Sequence, residues 1–363
     1  MVKMLVIADD LTGALDTGVQ FAQRGARVCV ATTPDTNVED CDVVVVNTGS
    51  RHDAPDLAAS KVRTAIRCFR EAQMFYKKTD SVLRGNIASE LAAFREELGP
   101  VAFVPFYPKQ GRTTVKGIQY VNGVPVDQSS FRNDPLNPVL ESDINKLLSG
   151  TSDITVYSGE TDEDLVAIAK VLRQTGQIRV TAGCAGFAPH LPLDVPVLQI
   201  DKKPIAQPLF VLSGSVNAAT LAQIVYAKAH GIAVYVPTTA QLMGQADANG
   251  IINSCIATLN AGQPVVLASA AGDERIPSSA GLQQRMTEWA SAIVAQVTCP
   301  YTPFIVGGDL LAVYLQSYNM QCITPQHEIA DGVVLCTHGQ SQFITKSGGF
   351  GAPDLLATLM GRE

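Results

Sequence analysis

The sequence predicts an α/β protein of two domains, each with a mainly parallel sheet flanked by helices, and a ligand cleft between them. Three observations carry that expectation. Short apolar runs alternate with stretches of helical periodicity, the runs end in polar, charged or glycine-rich residues, and a proline-crowded segment divides the chain beyond its middle.

The first strand and turn set the pattern. Residues 4–8 are a continuous apolar run of the kind that fills a buried parallel strand, and Asp9 and Asp10 follow at once. Leu11, Leu15, Val19 and Ala22 then recur at helical spacing, which places Asp10 at the helix N-cap. A cap needs one acid. The other is surplus, at the carboxyl end of a strand, where open α/β sheets bind ligands.

Residues 26–32 and 42–47 read as the next strands, the second running into Thr48-Gly49-Ser50-Arg51-His52. A helix from Asp56 to about Ala72 follows, then a strand at 74–77 that runs into Lys78-Thr79-Asp80-Ser81, and a helix from an Asn86 cap to Leu98. The strand at 101–106 leads into Tyr107-Pro108-Lys109-Gln110-Gly111-Arg112. The Asn-Gly of residues 119–126 signals a tight hairpin, and the polar stretch 126–138, long for a compact domain, reads as an ordinary surface excursion, with a substrate-side loop as the alternative. A strand at 154–157, a helix at 161–172 and a strand at 179–182 restore the βα rhythm.

Pro189, Pro192, Pro196, Pro204 and Pro208, with Asp201-Lys202-Lys203, mark the boundary and give domains of 1–205 and 206–363. The second opens with a strand at 209–212 ending in Ser213-Gly214-Ser215, with Asn217 starting a helix. Strands at 232–236, 264–268, 303–306, 333–337 and 343–346 follow, with helices at 246–259 and 281–297. The strand at 303–306 ends in Gly307-Gly308-Asp309, and the last in Ser347-Gly348-Gly349-Phe350-Gly351.

Length and charge bound the function. The 363 residues favour two domains over one, and 46% hydrophobic with 17% charged residues describes a globular chain. A net charge of -7 argues against nucleic acid as the main partner, although anionic metabolites can still be held by local cations and backbone N–H groups. The eight cysteines are scattered, with no CxxC and no histidine at metal spacing, and read as buried thiols of a reducing cytoplasm. The amino terminus does not read as a signal peptide and no apolar run is long enough to span a membrane, so a cytoplasmic protein without a membrane partner is expected. A homo-oligomer is compatible with the sequence.

Three glycine turns, each directly after an apolar strand, let backbone N–H groups approach a phosphate with no side chain in the way. None is a Walker A and no GxGxxG follows the first strand, so neither a P-loop NTPase nor a standard dinucleotide dehydrogenase is indicated. The first domain supplies the complementary groups: Asp9, Asp10, Arg51, Lys77 or Lys78, Asp80, Ser81 and Arg84, with Arg112 as a further candidate. Arginine and lysine at strand ends suit a carboxylate, while aspartate and serine suit sugar-like hydroxyls. A small polyhydroxy acid fits both.

ADDLTGA at residues 8–14, KKTDSVLRGN at 77–86, SGS at 213–215, GGD at 307–309 and KSGGFG at 346–351 resemble, in order and spacing, the motifs of the four-carbon acid sugar kinases. The resemblance implies phosphorylation of the terminal hydroxyl of threonate, erythronate or an oxo-tetronate by ATP with Mg2+. It implies a substrate-binding amino-terminal domain that holds the sugar acid with the catalytic carboxylates Asp9 and Asp10, one of which accepts the hydroxyl proton, with Arg51, and with Lys78, Thr79, Asp80, Ser81 and Arg84. It implies a carboxyl-terminal domain that holds ATP with Ser213, Gly214, Ser215, Gly307, Gly308, Asp309, Leu310, Ser347, Gly348 and Gly349. The chain departs from the family's usual pattern at Leu310, at Val216-Asn217 and at Gly349. No dense carboxylate cage marks a protein-bound metal, since Mg2+ takes few protein ligands beside phosphates. A non-catalytic sugar-acid binding or regulatory protein, and a sugar-acid dehydrogenase, are the rival readings.

Overall fold

The apolar runs form strands because their β-branched residues suit a pleated ladder, and burial on both faces is what a central parallel sheet provides. The computed structural model describes residues 2–362 apart from 34, 35, 37, 39, 135, 196–204, 273 and 276–279. Pro196, Pro204 and the Asp201-Lys202-Lys203 run of the expected boundary lie outside the described residues. The chain divides into two units, 1–200 with 322–325, and 201–321 with 326–363.

In the first unit, β1 (Met4–Ala8), β2 (Val28–Ala31), β3 (Val43–Asn47), β4 (Met74–Lys78) and β5 (Val101–Val104) alternate with α1 (Leu11–Ala22), α2 (Pro55–Cys68) and α3 (Ile87–Leu98). A small antiparallel sheet of β6 (Arg112–Val115), β7 (Ile118–Val121) and β8 (Val124–Pro125) interrupts the rhythm. After α4 (Ile144–Leu147) come β9 (Ile154–Val156), α5 (Asp162–Gln174) and β10 (Val180–Gly183). The β7–β8 turn is the expected Asn-Gly hairpin, with φ of 48° at Asn122 and 78° at Gly123.

The main strands run parallel in the order β2-β3-β1-β4-β10-β5-β9. Strand order departs from β1 in both directions, so the crevice of an open sheet falls at β1 and β4. Register makes this concrete: Ala8 pairs with Asn47 and Lys78, and Lys78 with Gly183. Asp9, Thr48 and Thr79 therefore leave the sheet side by side. Beneath them Leu5, Ile7, Val44 and Val46 pack with Val62 and Ile66 of α2 and Leu91 and Phe94 of α3.

The second unit contains β11 (Leu209–Ser213), α6 (Ala218–Ala229), β12 (Ala233–Tyr235), α7 (Thr239–Leu242), α8 (Asn249–Asn260) and β13 (Val265–Ala268). These precede a two-stranded ribbon of β14 (Ala270–Ala271) and β15 (Glu274–Arg275). α9 (Ala280–Val294), β16 (Thr302–Val306), α10 (Gly308–Ser317), β17 (Cys322–Ala330), β18 (Val333–His338), β19 (Ser341–Lys346) and α11 (Leu355–Leu359) follow. β12, β13, β11, β16 and β19 are adjacent and parallel, and β18 returns antiparallel to β19. Ser213 pairs with Val306, and Val306 with Lys346, which sets the three glycine turns beside one another at one sheet edge.

Three sequence readings need correction. β17 was not anticipated: its alternating burial belongs to a half-covered strand, and its Pro325 and polar residues masked the pattern. Cys29 and Cys322 are joined in a disulfide rather than being free thiols, because Cys322 and Ile323 pair antiparallel with Ala31 and Val30 of β2; Cys68, moreover, is exposed. Asn86 stands at the N-cap of α3 but its side chain does not cap; it donates to the carbonyls of Ser50 and Asp53 at 2.9 Å each.

Candidate active site

Asp10 starts α1 as its N-cap. Its Oδ1 accepts from the Gly13 N–H at 3.2 Å and its Oδ2 from the Thr12 hydroxyl at 2.7 Å. Gly13 is needed here, since a Cβ at that position would run into the Asp10 carboxylate and lie 2.8 Å from Lys78 Nζ. Lys78, at the end of β4, thus reaches over the first turn of α1.

Arg51 joins the acids. Its Nε donates to Asp9 Oδ2 and its Nη2 to Asp10 Oδ1, both at 2.7 Å, and Nη2 lies 3.5 Å from Asp80 Oδ2. Three carboxylates around one buried guanidinium hold its pKa well above the ordinary value despite burial. Asp80 is kept far below the usual carboxylate range: burial pushes it up, but Arg84 and Arg51 outweigh that. Asp80 also shapes its own loop, accepting at Oδ1 from the Val82 and Arg84 N–H groups, and Arg84 pairs with Asp80 at 2.9 Å and Asp134 at 3.4 Å. The Arg84 guanidinium stands 5.5 Å over the Phe131 ring. Phe131 and Asp134 come from the 126–138 stretch, which thereby touches Arg84.

Below lies a second charged pair. Lys77 Nζ meets Glu90 Oε2 at 2.9 Å with both side chains buried, and Glu90 Oε1 accepts from Ser50 Oγ. Burial raises the Glu90 pKa, with Lys77 opposing. Asp9 sits above this pair. Burial pushes its pKa up, but Arg51, Lys77 and Lys78 bring the net value below normal. Asp9 Oδ1 and Thr79 Oγ1 are buried and have no hydrogen-bond partner among the described residues. Ser81, half-buried, contributes its carbonyl to Gln119 Nε2 at 2.8 Å. Glu90 escaped the sequence reading, because a helical glutamate carries no signal of burial; Lys77 stood there only as an alternative to Lys78, and Ser50 only as part of a polar strand end.

The second unit brings its three turns into contact. Gly214 N–H donates to Val306 carbonyl at 3.0 Å and Gly307 N–H to Lys346 carbonyl at 3.1 Å. A Cβ on Gly348 would overlap Ser215 Oγ, so the cradle closes if that glycine gains a side chain, whereas one on Gly307 would make only ordinary contact at 3.6 Å from Ser215 N. Gly307 has φ of 108° and caps α10, whose first turn carries exposed Asp309 and buried Leu310. Leu310 packs against Gly214, where a Cβ would stand 2.9 Å from Leu310 Cβ. Gly349 is exposed. Under the last turn, Lys346 Nζ donates to the carbonyls of Ser347 (3.2 Å) and Phe350 (3.1 Å) and to Thr220 Oγ1 (3.1 Å), and burial lowers its pKa to about 7. Thr220 Oγ1 in turn donates to the Gly348 carbonyl at 2.7 Å. Among the described residues no group of three or more His, Cys, Asp or Glu is arranged to hold a metal, and no helix is long and apolar enough to cross a membrane.

The family described as a sugar-binding N-terminal domain matches residues 4–158, and that described as a nucleotide-binding C-terminal domain matches 210–356. A D-threonate kinase of Salmonella typhimurium is 30% identical over 98% of this chain and 96% of its own. The chain belongs to the four-carbon acid sugar kinase family. A D-threonate kinase of Bordetella bronchiseptica is likewise 30% identical, over 97% and 95% of the two chains, and a 3-oxo-tetronate kinase of Brucella melitensis is 24% identical over 91% and 88%. A crystal structure from Salmonella typhimurium LT2, described as a putative tRNA synthase, shares the fold at TM-score 0.79 and 19% identity over the whole of both chains. A Haemophilus influenzae structure does so at TM-score 0.72 and 17% identity, over 98% and 99%. As a member of this kinase family the protein is a phosphotransferase.

Proposed function

We propose that this kinase transfers the γ-phosphoryl group of ATP to the 4-hydroxyl of a four-carbon sugar acid such as D-threonate, D-erythronate or 3-oxo-tetronate. The observation that carries the reading is the meeting of three glycine turns at the carboxyl ends of adjacent parallel strands, with Gly348 where a Cβ would overlap Ser215 Oγ and Gly307 at a φ of 108° that disfavours a side chain. N–H groups of these turns other than those of Gly214, Gly307 and Phe350, which donate to carbonyls, suit phosphate oxygens. ATP when bound supplies the phosphoryl group, and Mg2+ neutralises charge on its oxygens. Asp309 and the Ser215 and Ser347 hydroxyls are the donors beside the cradle of a type that fits a cation held mainly by phosphates and water.

The first unit holds the acceptor. Lys78, Thr79, Asp80, Ser81, Arg84 and Arg51 border the site, and Asp9 is the proton acceptor, because its Oδ1 is the one oxygen of the Asp9-Asp10 pair without a donor. Asp10 caps α1 and fixes Arg51. A carboxylate of depressed pKa is a weak base, which suffices where the transition state is loose and the proton leaves late. Alignment of hydroxyl and phosphoryl group, more than proton removal, then sets the rate.

The test is ADP release from ATP with Mg2+ across D- and L-threonate, D- and L-erythronate and the 3-oxo-tetronates. Turnover on one or more is expected. Stabilisation by a sugar acid with no turnover on any would favour a binding protein instead.

A further inference from the structure

The cations of the first unit differ in whether their charge is met. Arg51 is shared by three carboxylates, Arg84 is paired to Asp80 and Asp134, and Lys77 is closed off by Glu90. Arg112 has no ion pair among the described residues. Its Nη1 donates only to the carbonyl of Gln110 in its own turn, and its Nε is buried with no acceptor.

The local fold holds that guanidinium in place. After β5 the chain makes a 3₁₀ turn at Pro108–Gln110 and reverses at Gly111, whose φ of 69° and contact with Asn122 leave no room for a side chain. Arg112 thereby returns opposite Tyr107, with Tyr107 N–H donating to Arg112 carbonyl at 2.8 Å and Arg112 N–H to Tyr107 carbonyl at 3.1 Å. This puts Arg112 at the carboxyl end of β5, on the same sheet edge as Asp9, Arg51 and Asp80. Its strongest attractive neighbour is Asp80, which is already engaged by Arg84 and Arg51, and burial leaves the Arg112 pKa below its ordinary value. A half-buried guanidinium whose fork has only a backbone oxygen gains when an anion arrives.

We propose that Arg112 is the anchor for the carboxylate of the sugar acid, meeting it with the guanidinium N–H groups that no carboxylate among the described residues takes, while the Asp9 and Asp80 side of the site takes the hydroxyls. The inference rests on the sugar-acid reading above and adds the residue that makes the substrate an acid rather than a polyol. Arg51 and Arg84, the arginines that the motifs single out, instead organise the aspartates.

Calorimetric binding and steady-state kinetics of D-threonate and D-erythronate, each against its neutral primary amide, test this in wild type, Arg112→Met and Arg112→Lys. Wild type is expected to prefer the acids. Losing a hydrogen-bonded charge partner should weaken acid binding about 10- to 100-fold in Arg112→Met, leave the amides and the KM for ATP within about twofold, and bring the acid-to-amide ratio near one. Arg112→Lys, which keeps the charge without the fork, should fall between and serves if the methionine variant does not fold. An unchanged acid-to-amide ratio in either folded variant overturns the anchor, as does a wild type that binds acid and amide equally. A wild type that prefers the acid but transfers no phosphate overturns the kinase assignment and leaves the anchor standing.

Discussion

At the scale of single residues, Asp9 and Asp10 are neighbours with separate duties. Asp10 has an amide, a hydroxyl and a guanidinium on its oxygens; Asp9 keeps one oxygen buried and bare. Asp9→Asn should therefore lower kcat by about 10²- to 10⁴-fold with the KM for ATP little changed, whereas Asp10→Ala should cost about 1 kcal/mol of stability as a lost cap. Near-normal turnover of Asp9→Asn would remove it as the base. Arg51→Met leaves three aspartates without their shared counter-ion, and a loss of about 3–5 kcal/mol in urea unfolding is expected. Asp80 carries a pH signature. Its folded pKa lies below the 3.8 of an ordinary aspartate, so the unfolded state binds its proton first on acidification. The stability it contributes is complete above about pH 4 and is lost as pH falls towards the folded value. Asp80→Asn should flatten that acid limb; an unchanged acid transition would show that its ion pairs do not hold in solution.

At the scale of elements, the Ser347–Gly351 turn is pinned from beneath by Lys346. The unfolded lysine holds its proton up to about pH 10.5 and the folded one to about 7, so between these values the unfolded state carries more protons and stability rises with pH. Below about pH 7 the buried charge costs its full amount, and that cost fades as pH rises. Wild type should therefore gain up to about 1.4 kcal/mol per pH unit relative to Lys346→Met through this window, read from urea midpoints at several pH values. Parallel profiles would place the ammonium in a better solvated setting. Gly348→Ala, which drives a Cβ into Ser215 Oγ, should raise the KM for ATP well before that for the sugar acid. An equal rise in both would detach this turn from the nucleotide.

At the scale of the whole molecule, the two units present candidate sites of different chemistry: a charged edge rich in paired aspartates and arginines, and an edge of glycine turns. Each ligand alone should raise the melting temperature, by an amount equivalent to about 2.7 kcal/mol when present at 100 times its Kd. ATP with Mg2+ giving no shift, while the sugar acid does, would contradict the nucleotide role of the second unit. The last β-hairpin and β17 show how far the chain must travel to complete each sheet: residues 322–325 belong to the first unit although they lie between parts of the second in sequence.

Much of this was legible in the chain. Apolar runs long enough for one strand, each ending in charge or glycine, dictate parallel strands with their functional residues at one edge, because side chains there are the first to leave the ladder. Local rules also placed the Asp10 cap and the Asn122-Gly123 hairpin. What the sequence by itself left open was pairing. Which arginine joins which aspartate, that Lys77 and Glu90 close a buried pair, that Cys29 meets Cys322 and that Arg112 is left without an anion all depend on register between segments far apart in the chain. Hydrophobic periodicity reports only whether a residue is covered, and charge reports nothing until its partner's position is known. Tertiary structure alone decided those partners, and with them which charges were spent on the fold and which remained for a ligand.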